Sequence, residues 1–223
     1  EGMAPGSADT GDFTVTGGGN VTGIEAGGSA EEVLIRLTHD FYDTGARPAL
    51  TISGSGITDD ATPGNQNATV TGFVATDAEP PLMMSAGTAD LDGNGLIDAI
   101  HVVYSEAVSD PLDATGFDVA GFSNEGFNTG SSASDADFYI TFDENGSYKT
   151  DHAPNFTYDA GTGTLSDFNG VPALSDGRSP VEDNAGPAIL SAVASDGTDL
   201  YVVIDADDTV TLTFSEATNE PAI

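Results

Sequence analysis

Residues 80–108 read PPLMMSAGTADLDGNGLIDAIHVVYSEAV, and residues 187–216 read PAILSAVASDGTDLYVVIDADDTVTLTFSE. Both stretches open on proline followed by apolar residues and Ser-Ala, pass through an acidic turn, and close on an alternating apolar run with Ser-Glu. Pro81 to Ala86 matches Pro187 to Ala192. Val102 to Glu106, followed by Pro111, matches Leu212 to Glu216, followed by Pro221. Ile97-Asp98-Ala99 has its echo in Ile204-Asp205-Ala206. Alternation of large apolar residues with others has the period of two that a half-buried strand requires. It recurs at Val33-Ile35-Leu37, Phe138-Ile140-Phe142 and Val210-Leu212-Phe214, with Gly-rich turns such as 17–19, 54–56 and 161–163 between. Helical periodicity is nearly absent. The weak helix start at Ala30 to Leu34 runs into a β-rich continuation. The chain reads as all-β and antiparallel.

The rest of the chain repeats as well. Phe117 to Gly121 resembles Phe13 to Gly17, the strand at Phe138 matches that at Val33, and His152 to Phe156 matches Ala46 to Leu50. Asp183 to Pro187 matches Asp77 to Pro81, so the spacing is 187 − 81 = 106 residues. That length suits an immunoglobulin-like sandwich. The phase is uneven. Residues 81–187 make a complete repeat, 1–80 match only its C-terminal two-thirds, and 188–223 only its first strands. Each end is expected to be an incomplete sandwich with bare edges, which aggregate unless paired. Two arrangements satisfy this: an excerpt of a longer tandem array, or donation of 188–223 to the 1–80 region of a neighbouring subunit. Joining Ile223 to a neighbour's Glu1 leaves about fifteen positions between Pro221 and Phe13 where the complete repeat has six, a surplus one loop absorbs. The expected contact sets Val210, Leu212 and Phe214 beside Val33, Ile35 and Leu37 of a second copy.

Composition narrows the function. Four Lys+Arg stand against 37 Asp+Glu in 223 residues, a formal charge of -33. Nothing is available to neutralise phosphates, so nucleic-acid binding is excluded as an expectation. Concentrated salt or bound divalent cations would relieve the self-repulsion, which points to a saline, extracellular setting. Cysteine is absent, so disulfides and thiolate metal sites are too. No run of about 18 apolar residues suggests a membrane span.

The acidic turn has calcium-loop spacing. Asp90, Asp92 and Asn94 at positions 1, 3 and 5, Gly95 at 6, the Leu96 carbonyl at 7 and Asp98 at 9 supply only oxygen, which selects a hard cation, Ca²⁺. Position 12 is His101 rather than a bidentate Glu, so a structural site is expected, not an EF-hand. Glu106 or Asp110 are candidates for the remaining oxygens. Asp205, Asp207 and Asp208 form a second acidic turn that could hold calcium. Asp135-Asp137 and Asp59-Asp60 read as solvated loop ends.

The windows at 80–108 and 187–216 resemble bacterial and archaeal immunoglobulin-like repeats of secreted surface proteins, the group that includes S-layer and adhesin repeats. The resemblance implies tandem antiparallel sandwiches with calcium in their loops, and a role in adhesion or surface architecture. In the second window Asp196 to Asp199 replaces the D-x-D-G-N-G loop, which puts a matching site there in doubt.

Catalysis finds no constellation. His39, His101 and His152 lack ligand spacing, there is no G-x-S-x-G elbow or P-loop, and carboxylate pairs are uninformative among so many acids. Without Trp, a sugar-stacking platform is poor, which leaves a hydrolase's accessory binding module as a minor alternative. Sequons at Asn20, Asn67, Asn145 and Asn155 suit an extracellular glycoprotein. The sequence therefore predicts a non-enzymatic, calcium-stabilised subunit of an extracellular filament or surface layer, polymerising with copies of itself. An excerpt of a calcium-dependent adhesin is the alternative.

Overall fold

The structure, a computed structural model, describes residues 8–16, 19–38, 43–54, 56–110, 113–197 and 208–219. His39, Asp205 and Asp207 lie outside the described residues. The chain divides into two compact units, Glu1–Glu79 and Pro80–Ile223. Residues 188–223 fall within the second of these units.

The first unit contains β1 (Phe13–Val15), β2 (Val21–Ala26), β3 (Val33–Leu37), β4 (Ala49–Ile52) and β5 (Val70–Val74). A three-residue 3-10 turn, Thr10–Asp12, precedes β1 and is capped by Asp9. It is the only helical element among the described residues. The Ala30 region is a turn leading into β3. Strands β1-β4-β5 form one antiparallel sheet and β2-β3 another.

The second unit contains β6 (Met83–Ala89), β7 (Ala99–Tyr104), β8 (Phe117–Val119), β9 (Gly126–Asn128), β10 (Asp137–Thr141), β11 (Phe156–Tyr158), β12 (Asp176–Arg178), β13 (Ile189–Ser195) and β14 (Thr209–Phe214). Its sheets run β6-β7-β10-β9 and β12-β11-β8, with β13-β14 as a separate pair. The two larger sheets share one core. Phe138 and Ile140 of β10, Ile100 and Val102 of β7, and Phe117, Phe156 and Tyr158 of β8 and β11 are buried together. Phe117 meets Phe138 edge-on at 5.8 Å and stacks on Phe156 at 5.7 Å, offset geometries that aromatic pairs favour. Alternation explains the burial. In β10, Phe138 and Ile140 point inward while Asp137, Tyr139 and Thr141 are half-exposed.

The repetition extends to hydrogen-bond register. β13 and β14 pair as β6 and β7 do, with the same bulge: it falls between Met83 and Ser85 in one hairpin and between Ile189 and Ser191 in the other. Ala86 faces Val102 where Ala192 faces Leu212, and Thr88 faces Ile100 where Ala194 faces Val210. Side chains follow. The Leu82 amide donates to Ser105 Oγ at 2.9 Å, as Ala188 does to Ser215 Oγ at 2.9 Å. Strand order repeats too: β1-β4-β5 runs as β8-β11-β12, and β2-β3 as β9-β10. The first unit holds no counterpart of β6-β7 among its described residues.

Register corrects one alignment read from the sequence. Ala99 pairs with Ala89 as Thr209 pairs with Ser195, so Asp98 corresponds to Asp208 and not to Asp205. The Leu91 amide donates to Asp98 Oδ1 at 2.9 Å, and the Gly197 amide donates to Asp208 Oδ1 at 3.0 Å. Backbone pairing counts residues from the strands outward, whereas the Ile-Asp-Ala triplet at 204–206 belongs to a longer stretch of sequence between the two strands.

Candidate metal centre

The loop between β6 and β7 gathers its acids. Carboxylate oxygens of Asp90, Asp92 and Asp98 lie within 4.8 Å of one another. Asp90 organises the turn: its Oδ1 accepts from the Gly93 amide at 2.8 Å and its Oδ2 from the Gly95 amide at 2.8 Å. Asp92 Oδ1 accepts from the Asn94 amide at 3.0 Å, and Asn94 Oδ1 from the Leu96 amide at 2.9 Å. Successive Asx turns of this kind curl the backbone around the carboxylates.

Two glycines make the curl possible. Gly93 and Gly95 have φ of +75° and +93°, in the region that L side chains avoid. At Gly95 a Cβ would also stand 2.6 Å from Leu190 Cδ2 and 3.0 Å from Ser215 Cβ. The loop therefore packs against the base of the β13-β14 hairpin. Thr150 Oγ1 and Ser215 Oγ, 2.6 Å apart and buried, fasten that base to the second unit.

A fourth carboxylate joins that the loop spacing did not reveal. Glu144, beyond the end of β10, accepts from Asn94 Nδ2 at 2.5 Å. Its sole sequence signal is that it follows a strand adjacent to β7. Burial raises the Asp98 carboxyl above its ordinary value; the Leu91 amide opposes this, and Asp90, Asp92 and Glu144 add to the rise. Four acids thus crowd one small turn, and their charges repel. The all-oxygen donor set, the convergence of three carboxylates and the raised Asp98 fit a divalent cation. Asp90, Asp92 and Asp98 are the residues that would hold it.

Other sequence candidates sit elsewhere. Asp110 is no ligand of this loop: its Oδ2 accepts from Thr129 Oγ1 at 2.8 Å and its Oδ1 from the Ser134 amide at 2.9 Å. Glu106 is buried beyond the far end of β7, apart from the Asp90 loop. Asp59 is no idle loop end: it ties down the amides of Ala61 and Asn65. Asp137 lies within β10 and meets His101 Nε2 at 3.1 Å, while Asp135 Oδ1 accepts the Asp137 amide. The His101 contact arises because β10 lies beside β7, a pairing remote in sequence, whereas the Asp135 bond is local. His152 stacks on Tyr148 at 3.9 Å.

The sequon asparagines differ in engagement. Asn20 and Asn155 are exposed, and Asn155 Oδ1 accepts from Ser179 Oγ. Asn145 Oδ1 accepts the Ser147 amide. Asn67 Nδ2 donates to the carbonyls of Ser53 and Ala68, at 3.0 and 2.8 Å. No helix among the described residues is long and apolar enough to cross a membrane. No family model matches the chain, and no curated protein or solved structure matches it.

Proposed function

We propose that the chain is a structural subunit of an extracellular filament or surface layer, built from tandem immunoglobulin-like sandwiches that assemble head to tail by strand complementation, with calcium in the Asp90 loop. One observation carries this reading. The β13-β14 hairpin repeats β6-β7 in register, yet leaves open the face that β6-β7 buries. Ile100 and Val102 are fully buried, whereas their counterparts Val210 and Leu212 are 66 % and 47 % exposed. The first unit has counterparts of β8 to β12 and would receive such a hairpin.

The equivalences specify the joint. β10 pairs β7 with Phe138 facing Val102 and Ile140 facing Ile100. Carried over, Val33 faces Leu212 and Ile35 faces Val210 of a second copy. Val33, Ile35 and Leu37 are half-buried and await a cover. A second contact changes chemistry in a compatible way. Arg178 of β12 donates to the Met83 carbonyl of β6 at 2.5 Å. By register its counterpart is Phe73, 66 % exposed, and the counterpart of Met83 is Ile189, 59 % exposed. Each large apolar side chain hidden there contributes about 1.5–3 kcal/mol. The same surfaces would be joined covalently in a longer repeat array, the adhesin alternative.

Sedimentation and negative-stain microscopy of the purified chain test the reading. Polymers are expected, and removal of residues 188–223 should leave monomers. A monomeric full chain at high concentration, with or without calcium, overturns self-assembly.

A further inference from the structure

A second acidic site lies at the other end of β7. Glu106 follows β7, and Asp167 sits in the 165–173 loop that pairs with the segment after it through a Val108–Asp167 bridge. Carboxylate oxygens of Glu106 and Asp167 lie within 4.8 Å of one another, and both residues are buried, Asp167 to 2 % exposure. Asp167 Oδ1 accepts the amides of Asn169 and Val171 at 2.8 and 2.7 Å. Its Oδ2 is buried with no hydrogen-bond partner. A buried carboxylate oxygen without a donor, next to a second carboxylate, is costly unless a cation meets both. Among 37 acids this is the one whose side-chain oxygen is so placed among the described residues.

We propose that Glu106 and Asp167 hold a buried divalent cation, calcium by its oxygen-only chemistry, separate from the Asp90 loop. Asp98 immediately precedes β7 and Glu106 lies two residues beyond its end, which at about 3.3 Å per residue sets the two sites roughly 25 Å apart along the chain. One cation would thus pin each end of the strand through which the core is built. Elements of the site recur in the other repeats. Asp59 resembles Asp167 in a wider turn: its Oδ1 accepts the amides of Ala61 and Asn65, and each loop closes through a bridge, Thr58–Gln66 or Ser166–Pro172. Ser215-Glu216 repeats Ser105-Glu106.

The test measures calcium stoichiometry by calorimetry, and melting with calcium, magnesium, sodium alone or chelator, on the full chain and on Asp167→Asn, Glu106→Gln and Asp92→Asn. Asparagine at 167 keeps the acceptor for Asn169 and Val171 and removes the charge. Expected is loss of one calcium equivalent in Asp167→Asn and in Glu106→Gln. Asp92→Asn should lose a different one, additive in the double variant. Asp167→Asn should also melt higher than the parent in chelator and lower in calcium. Unchanged stoichiometry, a melting gain equal with and without calcium, or a full effect from sodium alone overturns the proposal. Should the variants not fold, manganese soaked into crystals of the parent decides. An anomalous peak roughly 2–2.6 Å from Asp167 Oδ2 supports the site, and its absence at saturation overturns it.

Discussion

The hairpins β6-β7 and β13-β14 share a bulge, a register and the serine bond at their base, but differ in what covers them. β6-β7 lies under β8 and β11 and beside β10, and its inward residues are sealed. β13-β14 has the same alternation and no such cover among the described residues of its own unit. Pairing therefore does not need the core: local alternation, the bulge and the Ser215 contacts suffice to define the hairpin. Burial does need it. The difference locates one unsatisfied apolar surface of this protein on β14, at Val210 and Leu212.

Substitution at matched positions probes this contrast most strongly. Ile100→Ala should lower stability by about 2–5 kcal/mol in chemical denaturation, the usual cost of emptying a sealed core position. Val210→Ala should change the stability of the dispersed chain by no more than about 0.5 kcal/mol, as at exposed sites. In the assembled state it should weaken association measurably. Equal costs at both positions in a monomer would mean that β13-β14 is already covered.

Calcium should act on the tip of one hairpin and the base of the other, because the Asp90 loop closes β6-β7 and packs on β13-β14 through Gly95. A ligand at 100 times its Kd stabilises by about 2.7 kcal/mol. Chelation should therefore lower the melting temperature, and Asp92→Ala should remove the share of that response belonging to the loop. The share that survives belongs to Asp167. A response unaffected by Asp92→Ala would reduce the loop to a turn.

Asp98→Asn is the subtlest test. The Asp98 carboxyl is raised above 3.8, so its contribution to stability is complete below that pH and lost as pH rises through the folded value. At neutral pH without metal its charge is a liability. Asp98→Asn should then raise the melting temperature in chelator at pH 7, give no gain near pH 3, and lower it in calcium. Its counterpart Asp208 is the matched control in the other hairpin.

Legibility varied along the chain for physical reasons. Alternation at Val33, Phe138 and Val210 marked strands because a pleated strand buries every second side chain. The Asp90 loop was readable because its ligands are neighbours in sequence. Glu144 and Asp167 were not, because each reaches its partners from 50 or more positions away. The shared Ile-Asp-Ala triplet set Asp205 in the place of Asp98; the ladder between β13 and β14 gives that place to Asp208.

The sequence by itself determined that this is an antiparallel β protein with a 106-residue period, heavily acidic, with one loop of calcium spacing. Those are properties of local order and composition. The tertiary structure alone decided which hairpin face lies bare and which acidic oxygen is stranded in the interior. Both depend on what packs opposite a residue, and the strand that packs opposite is distant along the chain.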